Sequence, residues 1–174
     1  QFPLVDKEID RHDYQFALTQ LTEEFNHYVL LADIFEHVLG RPIAPDDTVQ
    51  LPEEKKLGDM RRGYVEAGDP VVRAAVGFTE GGGAALFREG AKISGDKIND
   101  MTAHAMKVIY DDEKDHYVEM AKEAVGLIEN DDDLARMTDA IRAISHQRVW
   151  MRHEMFRNSM TPDEIGEFIA SHQR

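Results

Sequence analysis

Residues 21–38 read LTEEFNHYVLLADIFEHV, and their spacing decides the fold class. Apolar side chains recur three and four residues apart, so that Ala17, Leu21, Tyr28, Leu31, Phe35 and Val38 share one stripe. That is the period of an α-helix with one apolar face and not the alternation of a strand. Glu24 and His27 fall in the same stripe. A glutamate and a histidine three apart on a helix project side by side and can hold one cation together. The pattern predicts a helix from about 6 to 39, closed by Gly40 and Pro42.

The same period governs the rest of the chain. Residues 40–68 form a long connection with Pro42, Pro45 and Pro52, in which Leu57, Met60, Tyr64 and Val65 supply the inner face of one short helix. Asp69-Pro70 is a good N-cap and first turn for a second long helix reaching about 93, where Ser94-Gly95-Asp96 breaks it. Glu80 interrupts its inner row of Val72, Val76, Gly83 and Phe87. A third helix is expected over 98–128, with Val108, Ile109, Met120, Ala124 and Leu127 inside. It carries a second Glu-x-x-His pair, Glu113 and His116, in line with Ile109 and Met120. The acids at 131–133 open a fourth helix bearing Leu134, Met137, Ile141, Ile144, Met151 and Met155. Thr161-Pro162-Asp163-Glu164 reads as a capping box for a short terminal helix. With no repeat and no low-complexity tract, the 174 residues are expected to form one all-α domain.

Composition narrows the function. A formal charge of −14, from 34 acidic against 20 basic residues, argues against a nucleic-acid surface, which needs clustered Lys and Arg. The 42% hydrophobic and 31% charged fractions fit a soluble globular protein. No apolar run approaches the ~20 residues that span a membrane, and no basic segment leads into an apolar one as in a signal peptide. The expectation is a cytoplasmic protein without a membrane partner. The absence of cysteine excludes disulfides, thiolate zinc sites and iron–sulfur clusters, and it is compatible with a reducing compartment.

Two Glu-x-x-His pairs are no more than chance supplies in a chain this rich in glutamate and histidine, so position decides their meaning. Glu24, Glu80 and Glu113 interrupt the apolar rows of three different helices. Ionised carboxylates are rarely buried without a partner, because desolvation costs several kcal/mol. No Lys or Arg on those rows offers an ion pair. A shared pair of metal ions does, and mixed imidazole and carboxylate ligands suit iron or manganese, with zinc possible on affinity. The competing reading makes these boundary positions whose charges reach solvent.

Thr22-Glu23-Glu24-Phe25-Asn26-His27, Phe78-Thr79-Glu80 and Asp111-Asp112-Glu113-Lys114-Asp115-His116 resemble the metal motifs of the ferritin-like di-iron carboxylate superfamily. Rubrerythrins, ribonucleotide reductase small subunits and acyl-carrier-protein desaturases belong to it. The resemblance covers about residues 14 to 128 and implies an antiparallel four-helix bundle, with 131–174 as a C-terminal helical extension. It implies two iron ions, manganese being possible, held by Glu24, His27, Glu80, Glu113 and His116. Within that pattern Glu80 and Glu113 bridge or shift between the irons, His27 and His116 bind one each, and Glu24 completes the first pair. One departure stands out: the pattern begins with a carboxylate on a helix upstream of Glu24, which falls before Gln1. Either the chain as read lacks that first helix, the reading favoured here, or Glu8, Asp13, His146, His153 or Glu154 substitutes.

The implied activity is a dioxygen-dependent oxidase or oxygenase acting on a small or apolar organic substrate. The expected partners are dioxygen, that substrate, an electron-donor protein and a second copy of the chain in a homodimer. A ferritin- or rubrerythrin-like protein that oxidises iron or removes peroxide is the second reading, and a metal-free helical interaction module the third. Gly81, Gly82 and Gly83 either leave space beside the metals or allow close helix packing. Tyr28, Tyr110 and Tyr117 are expected as core tyrosines near the ligands, and His146, Trp150 and His153 as a polar boundary face of the fourth helix.

Overall fold

The computed structural model describes residues 9–114, 116–157 and 159–172, without the side chains of residues 80, 81, 116, 117 and 119. The described residues form eight α-helices, α1 (Arg11–Leu39), α2 (Pro52–Glu66), α3 (Pro70–Phe78), α4 (Ala84–Gly90), α5 (Lys97–Glu113), α6 (His116–Gly126), α7 (Asp131–Phe156) and α8 (Pro162–Ser171), and two 3-10 turns, Pro45–Asp47 and Thr79–Gly83. The expected all-α class is observed, and no strand occurs among the described residues. No described helix is long and apolar enough to cross a membrane.

Local chemistry sets the helix ends. The Asp10 carboxylate accepts from the His12 and Asp13 N–H groups at the start of α1, and Gly40 closes that helix at φ 67°. Asp69 accepts from the Val71 and Val72 N–H groups ahead of α3, and Asn130 from Asp133 ahead of α7. Thr161 and Glu164 form the expected reciprocal box at α8. Two long helices expected from periodicity are divided. The second breaks into α3, a 3-10 turn at Thr79–Gly83 and α4. Three consecutive glycines carry little helix propensity, which accounts for the tightening there. The third ends as α5 at Glu113, Lys114 is a turn residue, and α6 begins at His116.

The chain divides into two compact units, residues 1–45 with 84–112 and residues 46–83 with 113–174. In the second, α7 packs along both α2 and α3, and α6 along α3. Val71, Ala75, Ala124, Met137 and Ala140 form one core cluster, and Leu57, Val76, Ile144 and Met151 a second, with Tyr64 packed against both. The short helix inside the 40–68 connection is therefore a core element. Its N-terminus is held from α7: the Glu53 N–H donates to Glu154 Oε2 at 2.8 Å, and Gln147 Nε2 donates to the Glu53 carbonyl at 3.0 Å. Leu134, Met155 and Val65, expected inside, are exposed.

The first unit contains α1, α4 and nearly all of α5. Gly90 ends α4 against α5, where a Cβ would stand 2.9 Å from Met106 Cγ, so the lack of a side chain permits the approach. On α1 the sequence reading needs correction. Leu21, Tyr28 and Val38 of the expected inner stripe are 66, 56 and 59% exposed, and His27 alone is buried. Helical period establishes that these residues share a face, but not that anything covers it.

Candidate metal site on α1 and α5

His27 is 6% exposed, near the middle of α1. Its Nε2 lies 3.0 Å from Asp112 Oδ2, and its Nδ1 lies 3.7 Å from Glu24 Oε2. Glu24 stands beside it because positions three apart on a helix share a face. Asp112 comes from the last turn of α5, and Glu113 is the final residue of that helix. One ligand atom from each of Glu24, His27 and Glu113 lies within 4.8 Å of the other two. Three of the five expected ligands are therefore gathered. The side chains of Glu80 and His116 lie outside the described residues.

The electrostatics of the α5 end favour a cation. Asp111, Asp112 and Glu113 crowd its last turn, which carries no basic residue. A helix C-terminus already bears the negative end of the peptide dipole, so acids there work against the helix unless positive charge answers them. Lys107 Nζ answers Asp111 at 2.5 Å, and the His27 ring meets Asp112.

Asp112 lies within the motif of residues 111–116, where helical period assigns it no role. Its position is that of the carboxylate that orients a metal-ligating imidazole from the far ring nitrogen. With the Nε2 proton donated to Asp112, Nδ1 presents its lone pair on the side of Glu24. Among the other expectations, Tyr28 is exposed and stacks obliquely on Phe25, with ring centroids 5.9 Å apart. Of the substitutes for a sixth ligand, Glu154 is taken up at the α2 N-terminus, Asp13 sits exposed in the first turn of α1, and Glu8 lies outside the described residues.

No protein-family model matches this chain, and neither a curated protein nor a solved structure does.

Proposed function

We propose that this protein binds a transition-metal ion through Glu24, His27 and Glu113 and is a non-haem iron oxidase or oxygenase of the ferritin-like di-iron type. The observation that carries the reading is the convergence of those donors, from positions far apart in sequence, on one point. Two carboxylates and an imidazole suit Fe²⁺ or Mn²⁺ and would also take Zn²⁺. A second ion, as the superfamily pattern requires, would draw on Glu80 and His116. When bound, iron would supply the one-electron and dioxygen chemistry that no side chain of this protein can.

The chain's own part is to bind and orient. Asp112 fixes the His27 ring and its tautomer. Burial of His27 shields one side of the site from water, while Glu24, 69% exposed, leaves an entry path for the ion. That exposure favours the iron-oxidising protein as a second reading, since iron as substrate must reach the ligands from solvent. The exposed apolar side chains of α1, among them Leu21, Phe25, Tyr28 and Phe35, support the homodimer as part of the proposal.

The test is metal analysis of protein stripped and reloaded with Fe²⁺, Mn²⁺ or Zn²⁺. Stoichiometric binding that His27→Ala and Glu113→Ala each abolish is expected. A Glu113→Ala variant retaining its metal and its stability would sink the assignment and leave the metal-free helical module. Dioxygen consumption that requires an added organic substrate separates the oxygenase from the iron-oxidising protein, which consumes dioxygen with Fe²⁺ alone.

A further inference from the structure

The second unit holds a cavity of about 780 Å³ against α7 and α8. That volume lies within the ~300–1,000 Å³ of small-molecule sites. Phe78, Ile141, Val149, Phe156, Ile165 and Phe168 give it apolar walls. Into these walls are set Arg148, Arg152 and His153, and none of the described residues lining it is acidic. In a chain of formal charge −14, the described lining of this cleft carries basic groups without acidic ones. Ser145, Arg148, Arg152 and Phe156 follow the three-and-four spacing of α7, so one face of that helix supplies both charge and apolar surface.

The 3-10 turn contributes to the same wall. A Cβ on Gly82 would stand 2.5 Å from Arg148 Nη1 and 3.2 Å from its Cζ. The absence of a side chain there is what lets the Arg148 guanidinium lie across the turn. One of the three glycines thus serves close approach of a neighbouring helix.

Arg152 and His153 are left without adequate partners. Among the described residues the hydrogen bond of Arg152 is to Met155 Sδ at 3.5 Å, a weak acceptor, and it forms no ion pair. Burial holds its guanidinium below the usual arginine range. His153 Nδ1 is buried with no hydrogen-bond partner, although its ring meets Trp150 edge-on at 6.2 Å. A half-buried cation and a buried ring nitrogen carry a desolvation cost that nothing described offsets.

We propose that this cavity binds an apolar-bodied carboxylate of the medium-chain fatty-acid type. Its carboxylate pairs with Arg152, and its hydrocarbon packs against Phe156, Ile165 and Phe168. One guanidinium without a counter-charge among the described residues calls for a single negative charge, and its planar fork matches a carboxylate. The inference makes no use of Glu24, His27 or Glu113.

The test is titration of the full chain with decanoate, decanol and decyl phosphate, following the fluorescence of Trp150. Trp150 is the chain's single tryptophan and adjoins His153. Decanoate is expected to bind saturably and at least about tenfold more tightly than decanol, as a desolvated charge-assisted pair requires. Arg152→Met, which keeps the buried stem, is expected to weaken decanoate by about tenfold and leave decanol unchanged. Arg62→Met, which removes a surface arginine paired with Asp59, should change neither. No saturable binding, equal binding of acid and alcohol by the unaltered protein, or an Arg152→Met variant that binds decanoate as before would each overturn the proposal. Tighter binding of decyl phosphate by about tenfold would assign the cavity to phosphates and overturn the carboxylate. The acid-against-alcohol comparison needs no variant, so it decides even if Arg152→Met does not fold.

Discussion

Asp112→Asn tests the candidate metal site without removing a ligand. The carboxylate meets His27 Nε2 at 3.0 Å, and its side chain is 28% exposed. A hydrogen bond to a charged group contributes roughly 1.5–3 kcal/mol, and partial exposure moves this one to the lower end of that range. Asparagine keeps the shape, and its Oδ1 still accepts the Nε2 proton, so the tautomer survives and only the charge is lost. Metal affinity should therefore fall by about ten- to thirtyfold, inside the ~10–100-fold span for carboxylates that orient a ligating histidine. Competition of metal-stripped protein with a chromophoric chelator, using Zn²⁺ or Co²⁺ as probe, reads this directly. Asp111→Asn makes the same charge change one residue away, on a carboxylate facing Lys107. It should weaken binding by no more than about twofold, as for an exposed and screened charge. Equal effects of the two variants would reduce the site to general negative potential, and an unaltered Asp112→Asn would refute the role given to His27.

Three further outcomes bear on the scaffold. Ile144→Ala removes a fully buried side chain packed with Leu57, Val76 and Met151, and should cost about 2–5 kcal/mol in denaturant unfolding followed at Trp150; Val125→Ala, at an exposed position of α6, should stay within about 0.5 kcal/mol. Burial acts to raise the Asp69 carboxyl but is outweighed by the Val71 and Val72 N–H groups and the Arg136 guanidinium, which hold it below the usual carboxylate range. A depressed folded value means that its stabilisation is complete above the unfolded value of about 3.9 and is lost as pH falls through the folded one. Asp69→Asn should therefore lower the urea midpoint at pH 6 and lose that difference in strong acid, and a gap that persists there would contradict the linkage. Arg157 ends α7 at φ 47°, the left-handed region that disfavours a Cβ, so Arg157→Gly should raise the melting midpoint by up to about 1 kcal/mol equivalent, whereas a lower midpoint would refute the strain.

Helix type and most interior rows were legible in periodicity. Val76, Ile109, Ala124, Met137, Ile144 and Met151 are buried where the 3.6-residue repeat put them. Breaks inside long helices were not, because amphipathic period runs unchanged through the glycine turn at 81–83 and past Glu113. Burial of the α1 stripe was not legible either: a repeat identifies a face, whereas cover depends on what the rest of the chain brings to it. The candidate site was partly readable, since Glu24 and His27 neighbour one another by local geometry alone. The approach of Asp112 to His27 is a tertiary fact that periodicity does not disclose, whereas a place for Glu113 near Glu24 and His27 is expected from its inner row and from the resemblance. Arg148 and Arg152 could have been found by the argument applied to Glu80. They are charged residues four apart in the apolar face of α7 that holds Ile141, Val149 and Phe156.

The structure shifts the ground of the metal reading from burial to mutual geometry. Desolvation required each carboxylate to sit in a core row, and Glu24, at 69% exposed, does not meet that premise. Its ionised form needs no partner to be tolerated there. The buried imidazole supplies the stronger argument. A neutral ring has one N–H, so if Nε2 donates to Asp112, Nδ1 offers a lone pair facing the lone pairs of Glu24 Oε2 at 3.7 Å. Reversing the tautomer moves the same conflict to the Asp112 side. Two acceptors then face one another at one nitrogen or the other, a contact that a bridging water, rotation of the exposed Glu24 side chain or a cation would relieve. A metal-ligating imidazole must give up its lone pair, so metal binding as proposed would weaken in acid. Glu113, at the negative end of α5, adds an oxygen donor within 4.8 Å, and that third donor is what the proposed metal ion would require.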